Sequence, residues 1–204
     1  MRTSRFALAT LAAYGLARAL GLGVAGGALA AVAYGQSGLI TAEAACCFAF
    51  ASVGAWLPVF LLGVEMAVRA DGRAGCFRGW ALAALALSQI VASWLGQGAY
   101  YSLLVFASFV TFRVLVRLPP GVSLVRSVTL TGWRLVLHGS IPVLLGLGLA
   151  AAGLLPRIEM NLLSSLAGGY SEADQQVGGW SVMEWVTLVE PGYWYAGVVV
   201  ATLA

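Results

Sequence analysis

Four residues with ionisable or strongly polar side chains fall inside long apolar stretches of this sequence: Arg18, Glu65, Gln89 and His138. A carboxylate or an imidazole could carry a proton, whereas an amide or a guanidinium could hold a ligand through its hydrogen-bond donors. Such groups are costly in hydrocarbon, so they mark candidate polar sites in a membrane protein. These four residues are the candidate intramembrane site of the chain.

Two of the four have a structural interpretation that competes with a functional one. Glu65 lies four residues before Arg69, and this spacing puts both on one helix face. An ion pair near the membrane interface is therefore favoured over a proton or substrate site. Gln89 shares a face with Ser93, so hydrogen bonding to a neighbouring helix is favoured over a ligand contact.

Metal and cofactor sites have little support in the sequence. His138 is the single histidine, so bis-histidine haem ligation is excluded and a hydrogen-bonded side chain is favoured. Cys46 and Cys47 are adjacent and Cys76 stands alone, so no C-x-x-C pair predicts a zinc or redox site. There is no G-x-S-x-G, H-E-x-x-H or phosphate-loop motif. We expect no enzyme activity, no metal, and no cofactor beyond bound lipid.

The composition identifies the medium in which these residues lie. Hydrophobic residues make up 61% of the 204 and charged residues 9%, and the mean hydropathy is +0.91. Soluble domains carry about 25% charged residues, so a water-soluble monomer is excluded. The 11 arginines flank apolar runs instead of forming a basic cluster, which excludes nucleic acid as a partner. We predict an all-α, polytopic transmembrane bundle, with residues 1–204 forming one integral-membrane domain.

The longest uncharged stretch predicts a helical hairpin. Residues 79–112 contain no Asp, Glu, Lys or Arg, and one helix of that length would extend to roughly 50 Å. The hydrocarbon core is about 30 Å thick, so the stretch should fold back on itself. Gly96 and Gly98 mark the turn. The expected crossings are 79–95 and 99–116.

The remaining segments bring the expected number of crossings to five or six. Pro58 lies in the middle of the second one, where it should kink the helix. The segments 122–134 and 157–190 alternate apolar and polar residues, as interfacial segments do. The further expected crossings are 7–34, 44–68, 135–155 and a short 191–204.

The arginines also predict an orientation. They occur at the N-terminus, in loop 69–78 and in loop 117–134, whereas loop 156–190 is acidic. The positive-inside rule then puts the N-terminus on the cytoplasmic or matrix side. The expected location is a bacterial cytoplasmic (inner) membrane, with an organellar inner membrane as the alternative.

A ladder of small residues suggests how the chain could associate. Small residues let helices approach closely in lipid, where no hydrophobic force drives them together. We expect the ladder to be a helix-packing face, and the chain to be a non-catalytic, multi-pass subunit of a larger membrane complex. A small transporter or channel, with Pro58 and Gln89 along its path, is the alternative. The ladder consists of Gly15, Ala19, Gly23, Gly27 and Ala31.

Overall fold

The computed structural model describes residues 2–37, 40, 48–116 and 124–163, and within these ranges it is helical and contains no strand. The all-α prediction is confirmed for this part of the chain. The expected crossing at 191–204 and nearly all of the segment 157–190 lie outside the described residues. The six helices are α1 (Arg2–Ala19), α2 (Val24–Gly35), α3 (Phe48–Arg69), α4 (Arg73–Ser93), α5 (Gln97–Val116) and α6 (Leu124–Leu162).

The four helices α3 to α6 are long and apolar enough to cross a membrane. Helices of 20 to 22 residues, such as α3, α4 and α5, extend about 30 to 33 Å, which matches the hydrocarbon thickness. The link between α4 and α5 falls at residues 94–96, next to the glycines that predict a turn there. Trp94 closes α4 with a hydrogen bond from its backbone N–H to the carbonyl of Ile90. The transmembrane-helix prediction is therefore supported by both length and composition.

The stretch 7–34, which we expected to be one crossing, instead forms two helices. The helix stops after Ala19, and Gly21 has a φ of 103°, a left-handed conformation that glycine adopts without strain. Helices α1 and α2 pack against each other as a hairpin, because a Cβ on Gly35 would lie 2.0 Å from Oγ1 of Thr10. The regular four-residue spacing of small residues is typical of one continuous helix, so it did not predict this break. Gly21 and Gly23, on either side of Leu22, lie where the helix is interrupted.

The hairpin changes where the N-terminus lies relative to the turn at residues 70–72, which Arg69 and Arg73 flank. Ser4 and Arg5 of α1 line a cavity together with Ser52 near the start of α3 and Ser93 at the end of α4. The turn at 70–72 lies at the opposite end of α4, a helix of 21 residues. The N-terminus and this turn thus lie at opposite ends of α4, and the side of a membrane on which the N-terminus lies stays a prediction. The reason is that α1 and α2 form a returning pair, so the chain starts at the end of the bundle where α3 begins.

The helix bundle has two ends, which we call the Trp94 end and the Asp71 end after one residue at each. The Trp94 end contains the start of α3, the end of α4 and the start of α5. The Asp71 end contains the end of α3, the start of α4 and the end of α5.

Helix α6 joins two segments that we expected to be separate. Residues 124–134 of the amphipathic segment and the whole expected crossing 135–155 fall in one helix of 39 residues, about 58 Å long. Pro142 and Pro156 lie inside this helix. Gly146 brings α6 against α4, because a Cβ there would lie 2.9 Å from Cβ of Leu87. The polar residues before position 135 occupy positions on a continuous helix and do not end it.

The closest helix contact joins α3 and α4 through two glycines. A Cβ on Gly63 would lie 2.5 Å from the backbone nitrogen of Ala83, and one on Gly79 would lie 2.5 Å from the backbone nitrogen of Ala67. Each helix thus carries a Gly-x-x-x-Ala step that faces the other, the arrangement that allows backbones to touch in lipid. One turn before Gly63 on α3, Phe60 stacks on Phe106 of α5, with 4.5 Å between the ring centroids.

The contact between α3 and α4 predicts a sharp response to a single methyl group. Gly63→Ala should lower the free energy of unfolding by about 1–3 kcal/mol, because the new Cβ meets backbone atoms that cannot move alone. Equilibrium unfolding in a mild detergent, followed by tryptophan fluorescence, measures this change. Gly148→Ala is the matched control, since no heavy atom lies within 4 Å of a Cβ at that position of α6. Equal stability of the two variants would contradict this packing.

Candidate functional site

The carboxylate of Glu65 is fully buried and is held by two arginines. Its Oε1 accepts a hydrogen bond from Nε of Arg69 at 2.6 Å, and its Oε2 accepts one from Nε of Arg113 at 2.6 Å. A second bond from Nη2 of Arg113 to Oε1 completes a two-point contact with the carboxylate. The Glu65 side chain is 0% exposed, whereas Arg113 is 13% and Arg69 39% exposed. We call these three residues the Glu65 triad.

The residues of the triad come from two helices, α3 and α5, and meet at the Asp71 end of the bundle. Glu65 and Arg69 are one turn apart on α3, so the ion pair expected from their spacing is present. Arg113 comes from the last turns of α5, 48 residues away along the chain. Sequence reasoning missed Arg113 as a partner, because no local spacing relates it to α3.

The geometry of the triad suits a structural role better than proton transfer. Both carboxylate oxygens are occupied by charged donors, and the two-point Arg113 contact is the strong form of this interaction. One negative and two positive charges leave a net charge of +1, which the partial exposure of Arg69 lets water solvate. The triad therefore links α5 to α3 at a buried position, where an unpaired carboxylate would be costly.

His138 lies in a different cluster from Glu65. Its Nδ1 accepts a hydrogen bond from Nε1 of Trp80 at 3.2 Å, and the two rings are 5.8 Å apart. Because an indole N–H can only donate, the neutral imidazole carries its proton on Nε2. His138 is 8% exposed and, with Trp80, Trp133 and Cys76, it lines a cavity of about 690 Å³ at the Asp71 end. Within the described residues, no three His, Cys, Asp or Glu side chains come together as metal ligands.

Gln89 lies at the Trp94 end, far from both of these clusters. It lines a cavity of about 570 Å³ formed by α1, α3, α4 and the last turns of α6. The polar groups around this cavity, which we call the polar cavity, are the side chains of Ser4, Arg5, Ser52, Gln89, Ser93 and Arg157. Arg157 is anchored there by a hydrogen bond from Nη1 to the carbonyl oxygen of Ala92.

The four candidate residues from the sequence are therefore not brought together. Arg18 is exposed near the end of α1, and its Cδ lies 3.1 Å from where a Cβ on Gly27 would be. Glu65 belongs to the Glu65 triad, Gln89 to the polar cavity and His138 to the contact with Trp80. Pro58 lies apart from Gln89 as well, since it lines an apolar cavity of about 290 Å³ beneath the α1–α2 hairpin.

The ladder of small residues is divided between two helices. Gly15 and Ala19 lie on α1, Gly23 immediately precedes α2, and Gly27 and Ala31 lie on α2. The five residues do not form one continuous helix face, because the chain reverses between the second and the fourth of them.

Most of the ladder packs within the chain. A Cβ on Gly15 would lie 3.2 Å from Cδ2 of Leu62, and one on Gly27 would lie 3.1 Å from Cε2 of Tyr14. Gly23 differs, because nothing lies within 4 Å of a Cβ built there. Small residues of the ladder therefore pack closely against other side chains of the same chain. Gly23 is the glycine of the ladder with open space around its Cβ position.

Comparisons of the chain with protein-family models, with curated proteins and with solved structures gave no match.

The Glu65 triad predicts unequal effects for its two arginines. Arg113→Leu should lower the free energy of unfolding by about 3–5 kcal/mol, because it leaves a fully buried carboxylate without its two-point partner. Arg69→Leu should cost about 0–1 kcal/mol, since Arg69 is partly exposed to solvent. Unfolding in detergent at fixed pH measures both values.

A double variant separates loss of charge pairing from loss of side-chain volume. Glu65→Leu combined with Arg113→Leu should recover most of the stability lost in Arg113→Leu, because no buried charge remains unpaired. Equal losses for the two single arginine variants, or no recovery in the double variant, would show that the triad does not stabilise the bundle in this way.

Proposed function

We propose that this protein is a non-catalytic, multi-pass subunit of a larger membrane complex. The observation that carries the proposal is the Glu65 triad, in which the most deeply buried carboxylate of the described helices is committed to two arginines. Catalysis by acid–base chemistry needs an ionisable group that meets a substrate, whereas this one meets only its own helices. The triad joins α5 to α3, and the Gly63–Gly79 contact joins α4 to α3.

The outer helices present apolar surface suited to lipid and to other membrane-embedded chains. The apolar stretch of α3 is 61% buried, whereas those of α5 and α6 are 28% and 22% buried. Large side chains exposed on these two helices include Leu104, Phe112, Leu144, Leu149 and Leu155. The partners in this proposal are the bilayer and further membrane subunits, and the location is a bacterial cytoplasmic or organellar inner membrane.

Gly23 provides a clean test of association, because its neighbourhood within the chain is open. Gly23→Leu should leave the free energy of unfolding of the isolated chain unchanged, since no heavy atom lies within 4 Å of its Cβ position. It should weaken association, because a leucine keeps another helix from approaching the turn between α1 and α2. Extraction from the native membrane in a mild detergent, followed by size analysis and identification of co-purifying chains, measures the effect.

Gly153→Leu is the matched control, being another glycine with open space around it, on α6. It should leave the co-purifying chains in place if they contact the α1–α2 hairpin. A chain that stays a monomer in native-lipid nanodiscs, with no co-purifying protein, would count decisively against the subunit proposal.

The alternative proposal is a small transporter or channel component, and the polar cavity is the observation that favours it. Gln89 lies on the wall of this cavity beside two arginines, so the solute it would admit is a small anion. Chain reconstituted alone in liposomes should then pass chloride, read by an internal chloride-sensitive dye.

Gln89→Leu should reduce this flux several-fold, whereas Gln97→Leu should not. Gln97 is also exposed but lies against a different, apolar cavity, at the start of α5. An absence of flux from the unaltered chain would remove the transport alternative and leave the subunit proposal intact.

A further inference from the structure

The polar cavity at the Trp94 end is lined by hydrogen-bond donors from four helices. Arg5 comes from α1, Ser52 from α3, Gln89 and Ser93 from α4, and Arg157 from α6. Guanidinium, amide and hydroxyl groups all offer N–H or O–H to whatever lies between them. Among the described residues that line the cavity, the charged ones are Arg5 and Arg157, and neither an Asp nor a Glu is among them.

Several of these donors have no partner within the described residues. Ser52 is 6% exposed, and its hydroxyl has no hydrogen bond there. Because no fully enclosed polar atom in this part of the chain lacks a partner, the Ser52 hydroxyl must open onto the cavity. The Gln89 amide and the Ser93 hydroxyl likewise have no described partner. A hydroxyl that opens onto a cavity is available to donate a hydrogen bond to a group held there.

Arg157 is held in place and still has donors to give. Its Nη1 donates to the carbonyl oxygen of Ala92, in the last turn of α4. A guanidinium carries five N–H groups, so this anchor fixes the plane of the group without using up its donors. A positioned arginine of this kind favours a group with several acceptor oxygens, and phosphate is such a group.

We propose that the polar cavity binds the phosphate group of a membrane lipid. A cavity of about 570 Å³ holds a phosphodiester headgroup but not the acyl chains attached to it. Leu8, Trp56 and Ala92 form the apolar part of the wall. The phosphate therefore lies beside Arg157, Ser52 and Ser93, and the acyl chains leave along the apolar surface of α6.

A lipid is favoured over a soluble phosphate by the position of the cavity. The arginines and serines lie at helix ends, where α1 begins and α4 ends, which is the headgroup level for helices of this length. A phospholipid presents its phosphate at that level in every part of the bilayer. Basic pockets between membrane helices are suited to such headgroups.

The test uses the full chain, delipidated in detergent and titrated with phosphatidylglycerol or with a diacylglycerol of the same acyl chains. Bound lipid is counted by native mass spectrometry. The unaltered chain should bind phosphatidylglycerol at least about tenfold more tightly than the diacylglycerol, because charge-assisted hydrogen bonds to the phosphate are worth that much or more. Inorganic phosphate at the same concentration should not displace the lipid.

Two variants and one control locate the effect. Arg157→Gln should weaken phosphatidylglycerol binding about tenfold and leave diacylglycerol binding unchanged. Gln89→Leu, at an exposed position that leaves the fold intact, should weaken it in the same direction. Arg134→Gln is the matched control, because Arg134 is an exposed arginine on the same helix but does not line the cavity. Thermal midpoints of all variants show that they remain folded.

Three outcomes would overturn the proposal. Equal affinity for the two lipids would show that the phosphate is not recognised. Equal binding by Arg157→Gln and the unaltered chain would show that recognition lies elsewhere. Displacement of the lipid by inorganic phosphate would assign the cavity to a soluble anion instead.

Discussion

A carboxylate buried among apolar helices must find cationic partners there, because no water reaches it to solvate its charge. Glu65 meets this requirement with one arginine from its own helix and one from α5. The requirement fixes more than a single contact. It sets which face of α5 turns toward α3, and it ties the end of α5 to the end of α3 although 48 residues separate the two side chains.

The same helix carries a second constraint on its opposite face. Gly63 and Glu65 are two positions apart, so they point to nearly opposite sides of α3. The glycine faces α4 at backbone contact, while the glutamate faces α5. Helix α3 is thus held on one side by close packing and on the other by charge pairing. This accounts for its being the most buried of the apolar helices and makes it the central element of the described fold.

Among the described residues, the clusters of polar side chains lie at the two ends of the bundle, and the middle is mainly apolar. The Asp71 end contains the Glu65 triad and the contact between Trp80 and His138, while the Trp94 end contains the polar cavity. Between them lie residues such as Phe60, Leu87 and Phe106, which pack without polar groups.

Composition and hydropathy by themselves determined that the chain has helices long and apolar enough to cross a membrane, and that the uncharged stretch 79–112 folds back. Both conclusions follow from the thickness of hydrocarbon and from the rise of a helix, so they need no knowledge of tertiary contacts. The pair Glu65 and Arg69 also followed from local spacing. The spacing of small residues did not predict the helix break at Gly21. The break depends on whether one long helix or a helical hairpin packs better against α3, and this is a property of the tertiary structure.

The partners of the polar side chains were decided only by the tertiary structure. Arg113 joins Glu65, and Arg157 joins Gln89 at one cavity, although each pair is distant in the sequence. No local period relates such residues, since helix packing and the direction of each helix decide which side chains meet. The close contact of Gly63 with Gly79 likewise could not be predicted from the sequence. A chain rich in glycine and alanine contains many such spacings, and only packing selects the pair that touches.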